Sequence, residues 1–200
     1  MIQNIIFDIG NVLMKYDPDG CIYGTFERQT ADRVCDALFH SGLWVELDRG
    51  IMPEKEILAG FMRRCPDVSE QIAFQYENMG NFCSAYSGTL PWLRRLKKDY
   101  RLYYLSNYSV PMRRRTTAVL NSFLPLMDGG IFSCDVGKIK PDPEIYQMLF
   151  DRYCLDPSQC VFLDDSAVNV RAAEALGMRA VVAGEPAETR KELDRLLEEA

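Results

Sequence analysis

Apolar runs and periodic apolar stripes alternate along this 200-residue chain in an order that predicts its architecture. Ile5-Ile6-Phe7 is an uninterrupted run ending on Asp8 and Gly10, the pattern of a strand buried on both faces in a parallel sheet. Residues 14–20 read as a turn-rich segment, because the Asp17-Pro18 and Asp19-Gly20 pairs do not continue a strand. From about Cys21 to Tyr86 the period becomes helical. Val34, Leu38 and Phe39 share one face of 31–39, and Ile57, Leu58, Phe61 and Met62 form a stripe in a helix opened by Pro53-Glu54. Ser69 is placed to cap a further helix that runs to Met79 and stops at Gly80. Roughly sixty residues of helix exceed what a simple crossover needs. They predict a small helical cap, 16–86, inserted after the first strand of a core made of 1–15 and 87–200.

The second half alternates strand and helix. Leu90, Trp92, Leu93 and Leu96 line a helix; 101–105 is a strand ending on Ser106-Asn107; Pro111 starts the next helix. A short strand at 130–132 precedes Lys138-Ile139-Lys140-Pro141-Asp142-Pro143, where Asp142 can cap a helix and Pro143 take its first position. Strand 161–163 ends on Asp164-Asp165-Ser166, Gly177 stops the following helix, and a strand at 178–183 leads to a charged helix at 186–199. Strands joined by helices imply an α/β fold, a Rossmann-like parallel sheet with right-handed crossovers. That topology gathers Asp8, Ser106 and Asp164 at the carboxyl edge of the sheet, where open α/β folds bind ligands.

Charge and composition narrow the partners. A net charge of −6 argues against nucleic acid and against anionic membrane surfaces. No apolar run approaches the ~18 residues of a membrane span and no basic n-region precedes the first strand, so a cytoplasmic location is expected. The seven cysteines are odd in number and scattered, without a C-x-x-C pair, and read as reduced, mostly buried apolar side chains. His40, the single histidine, reads as structural or surface, which argues against histidine-dependent triads.

Asp8, Asp164 and Asp165 together would repel one another unless a cation compensates, and oxygen ligands with retained waters suit Mg²⁺. Singly, Asp8 could start a turn and Asp164-Asp165-Ser166 could cap a helix. Ser106 and Asn107 can donate hydrogen bonds to a phosphoryl oxygen, and Lys140 can place a point charge beside it. Nucleophile, metal, hydroxyl donor and cation are the parts that phosphoryl transfer uses.

Asp8-Ile9-Gly10-Asn11-Val12, Ser106-Asn107, Lys140-Pro141-Asp142-Pro143 and Leu163-Asp164-Asp165-Ser166 with Asn169 resemble, in order and spacing, the four motifs of the haloacid dehalogenase-like hydrolase superfamily. The Phe-Asp-x-Gly-Asn-Val form and the stretch Leu43-Trp44…Asp48-Arg49-Gly50 look most like its sugar-phosphate phosphatase branch, the glucose-1-phosphate phosphatases in particular. The resemblance implies a Mg²⁺-dependent phosphatase of small phosphomonoesters that works through an aspartyl-phosphate on Asp8. Ser106 and Lys140 would hold the phosphoryl group with Asn107; Asp165, Asp164, Asp8 and the Gly10 carbonyl would hold Mg²⁺; Asn107 and Asn169 would support from behind. Lys138 competes for the lysine role, but Lys140 has the Pro-Asp-Pro context.

One position departs from the pattern. The family's usual second aspartate, a general acid and base, is Gly10 here. Asp17, Tyr16 or a substrate hydroxyl could substitute for it. The alternatives are a degenerate member that binds a phosphorylated ligand or protein partner without turnover, and a haloacid dehalogenase, which has no use for the Asp164-Asp165 pair. Tyr16, Asp17, Trp44 and Arg49 are the candidates for choosing the substrate, Trp44 being equally suited to the cap's interior. A monomer or a dimer fits this chain.

Overall fold

Ile5, Ile6 and Phe7 are fully buried, and the strand they form, β1 (Asn4–Phe7), is the middle strand of the main sheet. The computed structural model describes residues 1–199. After β1 the chain enters β2 (Met14–Tyr16), which pairs antiparallel with β3 (Cys83–Ala85). Five helices lie between those two strands: α1 (Pro18–Thr25), α2 (Arg28–Phe39), α3 (Leu43–Arg49), α4 (Glu54–Arg64) and α5 (Ser69–Glu77). The remainder runs α6 (Thr89–Leu96), β4 (Arg101–Ser106), α7 (Val110–Arg115), α8 (Thr117–Phe123), β5 (Gly129–Phe132), α9 (Pro143–Tyr153), β6 (Cys160–Asp164), α10 (Ala167–Ala175), β7 (Arg179–Val182) and α11 (Pro186–Glu198).

Among the described residues the main sheet has the order β5-β4-β1-β6-β7, every pair parallel. The expected α/β class and Rossmann-like sheet are therefore present. Side chains alternate between two buried faces, as a parallel sheet covered on both sides requires. Phe7 meets Trp92 of α6 edge-on at 5.3 Å, while Phe162 meets Tyr146 of α9 at 5.7 Å on the opposite face. The helical insertion has no separate interior: Leu13, Met14 and Phe82 join Leu38, Ile57, Phe61 and Ile72 to the first of these faces in one buried cluster.

Three local readings differ from the structure. The segment read as a turn from Met14 begins as a strand, with Met14 buried and Lys15 outward, because its partner β3 arrives from far along the chain. Asp17 does end that strand, accepting from the Gly20 N–H at 2.8 Å to cap α1. Ser69 makes no side-chain cap, since a 3-10 turn, Pro66–Val68, leads directly into α5. Asp142 takes the cap position of α9 without bonding its N–H groups, and its carboxylate lies 3.7 Å from Arg49 of α3. His40 is exposed beside Asp36, and Cys35, Cys65, Cys83 and Cys160 are buried thiols. No helix among the described residues is long and apolar enough to cross a membrane.

β5 is an edge strand, whose outward backbone groups would template pairing with another chain. The Tyr153 hydroxyl closes that edge: it accepts from the Gly130 N–H at 2.9 Å and donates to the Gly130 carbonyl at 3.1 Å. Tyr153→Phe removes both bonds, and the expected cost is about 1–2 kcal/mol. Thermal unfolding would read this as a fall of a few degrees.

Candidate active site

The order of the sheet reverses at β1, whose neighbours β4 and β6 lead away on either side, and such a switch point opens a crevice beyond the strand ends. Phe7 is in register with Tyr104 of β4 and Leu163 of β6, so the next residues, Asp8, Leu105 and Asp164, arrive together. The Asp8 N–H continues the ladder onto the Leu163 carbonyl at 2.8 Å. A cavity of about 230 Å³ lies there, between the sheet edge and the helical insertion. From the core it is lined by Asp8, Gly10, Ser106, Asn107, Lys140, Asp164, Asp165 and Asn169; from the ribbon and the insertion by Tyr16, Cys83, Trp44 and Asp48.

Lys140 is 3% exposed and is the hub of the site. Its ammonium donates to Asp8 Oδ1 at 2.7 Å and to Asp164 Oδ2 at 2.6 Å. Asn107 positions the segment that carries it: the amide oxygen accepts from the Lys140 N–H at 2.8 Å and the amide nitrogen donates to the Lys140 carbonyl at 2.9 Å. The Asn107 oxygen is thereby committed to Lys140, while the amide nitrogen keeps a second N–H and the residue lines the cavity. Lys138 points elsewhere, to Glu144.

Asp164, fully buried, accepts from Lys140, from the Ser166 N–H at 2.8 Å and from the Asn169 amide nitrogen, which reaches Oδ1 at 3.0 Å and Oδ2 at 3.1 Å. Asp165 is exposed and is held by Asn11, whose amide donates to it at 2.9 Å. The other end of that amide accepts from the Tyr16 N–H at 3.0 Å. Asn11 manages both contacts from a left-handed backbone, φ 55°, which asparagine tolerates better than most residues.

Electrostatics follows from burial. Desolvation pushes Asp8 up to about 6 against the pull of Lys140, with Asp164 adding to the rise and a Ser106 hydrogen bond opposing it. Desolvation would lower the Lys140 ammonium, yet the two carboxylates outweigh it and raise it. Burial likewise holds the Tyr16 phenol well above its ordinary range. One lysine facing this many acids leaves a surplus of negative charge. Oxygens of Asp8, Asp164 and Asp165 lie within 4.8 Å of one another, a hard-cation donor set of the kind Mg²⁺ prefers.

Two of the expected substrate-choosing residues lie away from the cavity. Asp17 accepts from Lys15 at 2.7 Å as well as from Gly20, and both hold its carboxyl below the usual range, so it faces neither the cavity nor a leaving group. Arg49 turns to Glu46 at 3.6 Å and to Asp142 at 3.7 Å. Tyr16 and Trp44 do line the cavity, and Trp44 also packs on Phe39, centroids 4.7 Å apart, and on Phe61 and Phe82.

Asp48 is the residue that the sequence reading passed over. Burial and the Asp8 charge push its carboxyl up to about 7, against a hydrogen bond from the Ser109 backbone N–H and the attraction of Lys140. The signal was available: Asp48 is four residues after Trp44, on the same side of a helix, whereas Arg49 is a further 100° round.

Comparison with known proteins agrees with this geometry. The family model described as haloacid dehalogenase-like hydrolase matches residues 2–177. The chain is 26% identical over 211 residues to the D-ribitol-5-phosphate phosphatase of Bacteroides thetaiotaomicron, covering 98% of this chain and 99% of that one. It is 27% identical over 219 residues to mouse acyl-CoA dehydrogenase family member 10, covering 96% of this chain but only 19% of that much longer protein. Among solved structures, a HAD family enzyme of B. thetaiotaomicron in complex with magnesium and inorganic phosphate shares the fold, with TM-score 0.75 and 23% identity over 92% of this chain and 96% of that one.

Proposed function

The chain belongs to the haloacid dehalogenase-like hydrolase family, and from that premise we propose that it is a Mg²⁺-dependent phosphatase of small phosphomonoesters, sugar or polyol phosphates above all. The observation that carries this reading is the Lys140 ammonium clasped between Asp8 and Asp164 at the floor of a small cavity, with Asp165 alongside. Asp8 is the nucleophile. Its carboxylate needs no separate base for activation, and its Oδ attacks phosphorus to form an aspartyl-phosphate that water then hydrolyses. Ser106 and Lys140 receive the phosphoryl oxygens, and Lys140 balances their charge as it spreads. Asp8, the Gly10 carbonyl, Asp165 and Asp164 are the residues that would hold Mg²⁺, which supplies Lewis-acid stabilisation when bound. Residues 16–86 act as the cap, with Trp44 and Tyr16 enclosing the leaving group and excluding water. The phosphatase relative in B. thetaiotaomicron, matched over nearly its full length, supports a polyol or sugar phosphate as substrate.

Phosphate release from a panel of sugar and polyol phosphates and from p-nitrophenyl phosphate, with Mg²⁺ and with chelator, tests the reading. Mg²⁺-dependent release is expected; no release from any ester, the activated one included, would overturn it in favour of a ligand-binding protein without turnover.

Asn11 has a measurable part in the metal site. Asn11→Ala frees Asp165 and places alanine in a left-handed backbone, so Mg²⁺ affinity is expected to fall about 10–100-fold, with a cost of about 1 kcal/mol to the fold. Titrating Mg²⁺ against the unfolding temperature of both proteins measures the two effects separately.

A further inference from the structure

We propose that Asp48 carries the protons of the reaction, as general acid on the leaving oxygen and then as base on the attacking water, in the role for which position 10 has no side chain. This rests on the phosphatase reading above. A carboxylate beside Asp8 is not available at position 10, where the residue is glycine, although a Cβ there would meet Tyr16 Cβ and Asp8 Oδ2 only at ordinary contact distances, 3.5 and 3.8 Å. The other titratable groups lining the cavity are engaged or unsuited. Lys140 is committed to two carboxylates and Asp164 to Lys140, Ser166 and Asn169. Asp165 is held by Asn11 among the acids of the metal site. The Tyr16 and Tyr108 phenols and the Cys83 thiol are all held protonated by burial.

Asp48 is placed differently. It reaches the cavity from the insertion, beside Trp44, whereas the phosphoryl-binding groups reach it from the sheet edge. A phosphoester bound on Asp8, Ser106 and Lys140 must point its leaving group toward the insertion, which is the wall that carries Asp48. The backbone that carries it is also held still. Ser133 donates its hydroxyl to the Asp48 carbonyl while accepting from the Tyr108 N–H at 2.8 Å. Next along the chain Arg49 reaches Asp142, and Gly50, at φ 74°, approaches the Cys134 backbone so closely that a Cβ would lie 2.8 Å from its Cα. Rigid placement of this kind is what general acid–base catalysis needs before any matter of proton affinity.

The protons balance over the two half-reactions. As Asp8 Oδ bonds to phosphorus and the bond from phosphorus to the leaving oxygen breaks, the Asp48 carboxyl gives its proton to that oxygen, releasing an alcohol. As water bonds to phosphorus and the Asp8–phosphorus bond breaks, the Asp48 carboxylate takes a proton from that water, which restores the carboxyl and releases phosphate.

The test compares wild type with Asp48→Asn across monoesters from alkyl phosphates to 2,4-dinitrophenyl phosphate, whose leaving group departs without a proton. For alkyl esters kcat/KM is expected to fall about 10²–10⁴-fold, and for the dinitrophenyl ester to stay within several-fold, with aspartyl-phosphate accumulating on rapid quench. An equal loss on both classes of ester, or no loss on alkyl esters, would overturn the proposal while leaving the phosphatase reading intact. A wild type that hydrolyses neither class overturns both. Asparagine is isosteric and keeps an acceptor for the Ser109 N–H, so an unchanged unfolding temperature separates lost proton transfer from lost structure.

Discussion

Lys140→Met is expected to lower the unfolding temperature of the metal-free protein by roughly 10 °C and to abolish detectable phosphate release. Lys140 and Asp164 are almost wholly enclosed and Asp8 is 8% exposed. Methionine fills the same volume but leaves two carboxylates facing each other without a counter-ion. Breaking a buried ion pair from one side costs about 3–5 kcal/mol, and each kcal/mol shifts a domain of this size by about 2–4 °C. The loss has a pH signature. Two uncompensated carboxylates in the folded protein have their pKa values raised above those of the unfolded chain, so the folded form keeps its protons longer. Stability is then retained in acid and lost as pH rises through the folded values. The variant should therefore lie nearer to wild type at pH 4 than at pH 7. Calorimetry at both pH values in chelator, with phosphate release measured alongside, checks the result; equal destabilisation at the two would show that packing rather than charge was lost.

Asp8→Asn should separate function from stability in the opposite sense. Phosphate release is expected to vanish, because an amide does not attack phosphorus, while the metal-free protein becomes more stable at pH 7. Desolvation raises the Asp8 carboxyl to about 6 from an ordinary 3.8, so its ionisation at neutral pH opposes folding. Asparagine removes that opposition, a gain of about 1–3 kcal/mol. Since the folded value is the raised one, wild type recovers the difference as pH falls through 6 towards 4, and the two unfolding temperatures should converge there. Added Mg²⁺ should stabilise wild type more than the variant, because a cation favours the ionised Asp8 carboxylate over a neutral amide. A variant less stable than wild type in chelator at pH 7 would show that the attraction between Asp8 and Lys140 exceeds the cost of burying the charge.

The parts of this molecule legible in the sequence are those whose signal is local. β1, β4 and β6 are apolar runs closed by polar residues, and once they are known to be parallel, Asp8, Ser106 and Asp164 must meet. Lys140 was separable from Lys138 by the prolines that follow it. β2 and β3 were not legible, since each is three residues long and exists only because the other pairs with it from the far end of the insertion. Asp17 was misplaced for the same reason: seen alone it is an acid near the nucleophile, but the ribbon turns it outward onto Lys15 and Gly20. Asp48 and Arg49 are adjacent in sequence yet face different ways on α3, the first lining the cavity and the second paired with Glu46 and Asp142. Only the packing of α3 against Ser133 and Cys134 shows which of the pair faces the cavity.

The Asn11 amide, one end on the ribbon at Tyr16 and the other on Asp165, ties the ribbon to the acidic cluster. If Mg²⁺ binds more tightly when Asn11 steadies Asp165, then the ion must in return favour, by the same factor, the ribbon position that lets Asn11 reach both partners. The ribbon is the stem of the insertion. In the Mg²⁺ enzyme proposed above, the ion and the stem of the insertion would each steady the other through this one amide.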